Sequence, residues 1–249
     1  MSSRKSQRLR LVVMPQPDNT TCGPTCLHAV YRYFGDHLPL EQVIDEVLAL
    51  PHGGTLAVLL GCHALARGYS AEIFTYNLQV FDPTWFRGKG QLVGRLQAQR
   101  RVKSDPKLQL ASHAYLEFLR LGGSIRYEPL SAALLRRYLN REIPILTGLL
   151  ATHLYDCARE YRDEYDDVRG EPVGHFVVLS GYDRKKREVL VSDPLHDNPR
   201  YKKRYYSVKG ERLLASILLG IVTYDANLLI IHPRREHKGK RSVHPDRRE

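Results

Sequence analysis

Apolar positions recur at helical spacing through most of the first half of the chain and alternate at strand spacing in much of the second. Leu27, Val30, Tyr31 and Phe34 mark one apolar face of a helix that begins near Cys22 and stops at Gly35. Residues 40–50 repeat the helical period after Pro39. Pro51-His52-Gly53-Gly54 then breaks it, and Thr55 is placed to cap a third helix reaching Arg67, closed by Gly68. Residues 69–76 read as a strand, and residues 9–15 (LRLVVMP) as a short strand leading into a loop at Gln16. Two more helices are predicted over 92–103 and 108–121, followed by a strand at 126–128 and a Ser131-capped helix to Leu139. A buried strand over 144–150 comes next.

The later pattern is different. GHFVVLSGYDRKKREVLVSDP reads as two alternating strands joined by the charged turn 183–187. A strand over 201–208, a helix over 210–220 and a last strand over 226–232 complete the reading. Helices first and a mainly antiparallel sheet later define an α+β class, with any site expected where the two halves meet.

Composition changes this picture little. A 249-residue chain with 43% apolar residues can bury a substantial core. Its net charge of +11 is concentrated at the ends: residues 1–10 carry four basic and no acidic side chains, and residues 233–249 carry seven basic and three acidic. Only +3 is left between them. The expected organisation is a basic flexible tail at 1–10, a domain over 11–232 with a helical insertion at about 77–123, and a second basic tail at 233–249. Such tails can attract anionic partners, but no zinc-finger spacing or aromatic-basic signature points to nucleic acid. The apolar run after Arg10 is too short for a signal peptide, and no run is long enough to span a bilayer, so a cytoplasmic protein is expected.

Four cysteines (Cys22, Cys26, Cys62, Cys157) show no regular framework, which argues against structural disulfides. No ligand spacing for zinc or calcium is present, and no cofactor is expected. Cys26 is read as a packing residue, with a redox role beside Cys22 as the alternative. Phe81, Trp85 and Phe86 are read as core, and His113 as a packed or surface histidine. The acidic-aromatic segment 159–171 is read as a solvated loop, the alternative being a loop over the site that attracts a basic peptide.

Cys22 is the strongest chemical candidate. It precedes Gly23-Pro24, where a loop turns into a helix, and a thiol at a helix N-terminus feels the positive end of the dipole, which favours thiolate. Gln16, six residues upstream, carries an amide able to donate toward a developing oxyanion beside the Cys22 backbone N–H. His175 opens one late strand and Asp193 follows the next, so an antiparallel pairing brings both to one end of a sheet.

Gln16, Cys22-Gly23, Leu27 and Gly35, then Gly174-His175 and Asp193-Pro194, resemble the bacteriocin-processing (double-glycine-leader) cysteine peptidases of the papain-like clan. The match covers the segments around the cysteine and the histidine and little between them. Departures are Thr21, where that family usually has an acidic residue, Thr25 in place of a small alanine, and a longer span from Cys22 to His175. The resemblance implies a papain-like fold, with the nucleophile helix packed on a mainly antiparallel sheet. It implies Cys22, His175, Asp193 and Gln16 as catalytic residues, and a peptide or leader sequence as substrate. A catalytically silent peptide-binding module, an acyltransferase working through the same thioester and a nucleic-acid-associated protein using the tails are the alternatives. Oligomeric state is not legible.

Overall fold

The computed structural model describes residues 6–51, 53–88 and 90–234. In chain order its elements are β1 (Ser6–Arg8), α1 (Cys22–Tyr33), α2 (Leu40–Glu46), α3 (Ala57–Ala66), β2 (Tyr69–Thr75), α4 (Leu92–Val102), α5 (Pro106–Arg120), β3 (Ser124–Arg126), α6 (Ala132–Leu139) and β4 (Ile145–Leu150). There follow α7 (Ala151–Tyr155), β5 (Glu160–Tyr161), β6 (Glu164–Tyr165), β7 (Gly174–Asp183), β8 (Glu188–Ser192), β9 (Tyr205–Lys209), α8 (Gly210–Leu219) and β10 (Asn227–Pro233). The fold is α+β, as the chain's pattern predicts, and papain-like, as the resemblance implies.

One sheet organises the molecule, in the order β3-β2-β10-β4-β7-β8-β9. Every pairing is antiparallel except β2 with β3. Its strands are apolar on both faces because both faces are covered. Ile73, Leu146, Phe176, Val178 and Leu229 join a core with α1, α3 and α5. The alternate residues Phe74, Ile145, Val177, Leu179 and Leu228 join a second core with α6, α7 and α8. This period-two division assigns each strand residue to one core or the other.

β7 is longer than β4, and its two halves have different neighbours on that side. Residues 174–179 pair with β4, and 181–183 pair with β1. Gly181 makes the second contact possible, since a Cβ there would lie 2.5 Å from the Gln7 carbonyl oxygen. Ser6–Arg8 is therefore a strand, while 9–15 forms no strand although Leu9, Leu11 and Val13 alternate inward. The ladder is occupied there by β4, so the segment is anchored at single points: Leu9 N–H to the Ser180 carbonyl (2.7 Å) and Val13 N–H to the Tyr205 hydroxyl (3.0 Å). Residues 1–5 and 235–249, which hold most of the predicted basic tails, lie outside the described residues.

Several helix boundaries differ from the pattern-based reading. Thr55 does not cap α3, because its hydroxyl donates to the Leu48 carbonyl (3.0 Å) and Leu56 occupies the cap position. Ser131 and Asp105 do cap, accepting from Leu134 N–H (3.2 Å) and Leu108 N–H (2.7 Å). Segment 152–170 contains α7 and the β5–β6 hairpin, so it is more ordered than a plain loop. Within 77–123, Phe81 is buried in the helical core, Trp85 and Phe86 pack partly against it, and His113 is exposed.

α1 is buried on all sides from Cys22 to Tyr31, not along one face as its periodicity predicts. It lies between β7 and the helices α2 and α3. Its C-terminal end is tied by a polar chain, since a buried hydroxyl requires a partner. The Tyr31 hydroxyl meets His63 Nδ1 at 2.8 Å, and His63 Nε2 meets Glu46 at 3.0 Å. With Nε2–H directed at the carboxylate, Nδ1 accepts from the tyrosine. Tyr31→Phe orphans that nitrogen, and the expected loss is about 1–2 kcal/mol of unfolding free energy by urea titration.

Candidate active site

Cys22, His175 and Asp193 come together at one end of the sheet. Cys22 is the first residue of α1 and sits on the helical face, whereas His175 has the strand parity of Val177 and Leu179 on the opposite face. They meet because His175 is the second residue of β7, where the sheet ends. The Cys22 thiol lies close enough to the ring to favour its protonated form. Thr21 precedes the helix without capping it through its side chain, and no acidic residue occupies the first turn. Cys22 is nearly buried, at 8% exposure.

Gly23 explains how closely α1 approaches. A Cβ there would collide with Thr55 Cγ2 at 2.6 Å and crowd the Phe176 ring of β7 at 3.3 Å, so glycine lets the first helical turn fit between them. One turn further on, the Cys26 thiol donates to the Phe176 carbonyl at 3.3 Å. Burial pushes that thiol well up, and Cys22 and Asp193 add to the effect. Cys26 is thus a packing residue that pins α1 beside His175, and all four cysteines are free.

Asp193 is completely buried and receives four hydrogen bonds. Oδ1 accepts from His175 Nε2 (2.8 Å) and from Leu195 N–H (2.9 Å). Oδ2 accepts from the hydroxyls of Tyr155 (2.7 Å) and Tyr206. A carboxylate only accepts, so Nε2 carries the proton and Nδ1 is left for Cys22. Burial disfavours charge on the His175 ring, but the Asp193 carboxylate and its hydrogen bond, with Cys22 contributing, outweigh it and raise the imidazole to about 10.

Gln16 lies on the same rim, since its backbone N–H donates to the Pro194 carbonyl at 3.1 Å, beside Asp193. Its side-chain Nε2 donates to the Asp18 carbonyl (2.8 Å), and its Oε1 is buried with no partner among the described residues. The amide is therefore turned into its own loop, one of its two N–H bonds being engaged there.

Four nearby residues were not singled out in the sequence, Glu160 entering only as part of the segment 159–171. Tyr155 and Tyr206 reach Asp193 only through tertiary packing. A weak signal existed for Tyr206, whose strand pairs with β8 immediately before Asp193. Asp225 is buried beside Gly148 and Gly174, where any Cβ would collide with its carboxyl group. Burial lifts it to about 7, against the pull of the Thr223 hydroxyl, Lys107 and His175. Glu160, on β5, is also raised, by burial and by Asp163, with His175 opposing. Among the described residues no cluster of His, Cys, Asp and Glu is arranged to hold a metal ion, and no helix is long and apolar enough to cross a membrane.

A buried thiol, an imidazole and a carboxylate thus lie in series at one end of the sheet. The chain belongs to the Peptidase C39-like family, whose sequence model matches residues 8–213. No curated protein sequence matches it. Among solved structures it is similar to a double-glycine-motif protease from an AMS/PCAT transporter in complex with the leader peptide: 14% identity, TM-score 0.43, covering 92% of this chain and 95% of that one. It is also similar to the peptidase domain of Streptococcus ComA, a bifunctional ABC transporter involved in quorum sensing (12%, 0.44, 89% and 98%). A third is xylellain, a cysteine protease from Xylella fastidiosa (14%, 0.44, 94% and 88%).

The raised imidazole links the site to stability. A His whose folded pKa lies near 10 and whose unfolded value is about 6.5 contributes stability in full below pH 6.5 and loses it as pH climbs through 10. Asp193→Asn removes the main cause of the shift. The stability gap between wild type and this variant is expected to be widest at pH 6 and to narrow steadily at pH 8 and 10 in urea unfolding.

Proposed function

We propose that the protein is a cysteine peptidase that hydrolyses a peptide bond through a thioester at Cys22, acting as a processing enzyme on a peptide or leader sequence. The observation that carries this reading is the buried series Cys22–His175–Asp193, in a chain of a peptidase family. His175, raised to about 10, retains a proton at neutral pH, so Cys22 attacks the carbonyl as the thiolate of an ion pair. His175 then delivers that proton to the leaving amine and next activates water for deacylation. Asp193 accepts from Nε2–H throughout and keeps Nδ1 turned to the sulfur.

The oxyanion is assigned to the Cys22 backbone N–H and the second N–H of the Gln16 amide. In Gln16→Ala, kcat on a cleaved peptide is expected to fall by about 10²–10³, with alkylation of Cys22 unchanged.

The test of the peptidase reading needs no substrate. Iodoacetamide alkylation of each cysteine is followed by mass spectrometry from pH 4 to 9. Burial raises Cys62 to about 12 and Cys157 in the same direction, so both are slow internal references. At pH 6, Cys22 is expected to label at least about tenfold faster than either, and His175→Ala is expected to remove that advantage. Equal rates at the three cysteines, indifferent to His175, would overturn the peptidase reading.

A further inference from the structure

Asp193 sits at 0% exposure, where no solvent can orient its carboxylate. Its two oxygens are served by different parts of the fold. Oδ1 faces His175 and the Leu195 N–H, both in the strand-and-loop unit that carries the aspartate. Oδ2 is held by two tyrosines from elsewhere: Tyr155 at the end of α7 and Tyr206 on β9. Both rings are buried. Tyr206 is stacked face to face on Tyr201 at 3.8 Å, and the Tyr155 ring lies 6.0 Å from that of His175. Since the carboxylate only accepts, both hydroxyl protons point at Oδ2.

We propose that Tyr155 and Tyr206 are positioning residues for the Cys22–His175–Asp193 series. Together they fix the rotation of the Asp193 carboxylate through Oδ2, and their dipoles set the pH at which Cys22 becomes reactive. This inference rests on the cysteine peptidase reading above.

The electrostatic sign is determinate. Two O–H dipoles with their positive ends on the carboxylate reduce the negative potential that Asp193 projects onto His175 and Cys22. Removing a hydroxyl restores that potential, which makes a thiolate at Cys22 harder to form and moves the acid limb of its reactivity to higher pH. The tyrosines keep their protons over the working range, because burial and the adjacent carboxylate push both hydroxyls well up. The other titratable groups around the series are Cys26 on α1, Glu160 on β5 and Asp225 before β10, and they are the same in every variant below.

The experiment is the pH profile of Cys22 alkylation in Tyr155→Phe, Tyr206→Phe, the double variant and Tyr201→Phe, with circular dichroism and thermal unfolding alongside. Tyr201→Phe removes a hydroxyl from the same aromatic cluster that makes no contact with Asp193. Each single variant at 155 or 206 is expected to shift the acid midpoint up by about one pH unit, the double variant further, and Tyr201→Phe not at all. Unshifted midpoints with only a lower melting temperature would show a packing role and overturn the proposal, as would an equal shift in Tyr201→Phe. If a phenylalanine variant fails to fold, 3-fluorotyrosine at the same position keeps the ring, strengthens the donor and is expected to move the midpoint down; no movement would overturn the proposal. Wild type without fast labelling at pH 6 removes the peptidase reading and this proposal with it, whereas fast wild-type labelling with unshifted variants removes this proposal alone.

Discussion

A carboxylate fully removed from water is the constraint on which the site depends. An uncompensated buried charge is one of the costliest features a protein can carry, and Asp193 avoids that cost by receiving four donors. Those donors come from β7, from the loop after β8, from α7 and from β9, so the series forms only when all four are docked. α7 is short and is held by α8: the Arg212 guanidinium donates to the His153 carbonyl (2.8 Å), and the His153 ring meets the Ser216 hydroxyl (2.9 Å). The C-terminal helix thereby supports the aspartate through Tyr155, although it contributes no atom to the site.

The thiol arrives from the other side of the sheet, and a different set of contacts aligns it. Gly23 lets α1 rest on Phe176, and Cys26 bonds the backbone of the same strand residue. The extended segment from Leu9 to Gln16, which leads into α1, is tied to the sheet through Ser180, Tyr205 and Pro194. Arg204 adds a bond to the Val13 carbonyl (2.8 Å). Each of these bonds engages a backbone group over a long sequence separation, so the relative position of Cys22 and His175 is fixed by the frame and not by the two side chains alone.

That division explains what could be read from the chain. Local chemistry was legible: Pro24 in the first turn of α1, the charged turn between β7 and β8, and the Ser131 cap all express themselves within a few residues. His175 and Asp193 were legible because one hairpin places them at one sheet end. Tertiary competition was not. Thr55 carries the chemistry of a cap but spends its hydroxyl on Leu48, and residues 9–15 have strand alternation but find the ladder already filled by β4. α1 has one visibly apolar face, yet it is buried all round, and its polar residues find backbone partners: Thr25 donates to the Thr21 carbonyl (2.7 Å) and His28 Nε2 meets the Leu38 carbonyl (3.1 Å). Tyr155 and Tyr206 look like any strand or helix tyrosine until the fold brings them to one oxygen.

Three carboxyl groups are coupled to His175, Asp193 by contact and Asp225 and Glu160 through the pull of the imidazole on their own charge, and donor count separates them. Asp193 has four donors and touches the ring. Asp225 has one, the Thr223 hydroxyl at 2.7 Å, and its Oδ1 is buried without a partner among the described residues; burial accordingly raises it to about 7. Glu160 is half-buried, with Asp163 as a like-charged neighbour, and is also raised. Desolvation favours the neutral form wherever hydrogen bonds do not oppose it, so the same low-dielectric surroundings that strengthen the Asp193 pairing weaken the charge on its two competitors. The imidazole consequently faces one well-held anion whose direction is set by the fold, and this asymmetry gives its two nitrogens separate tasks.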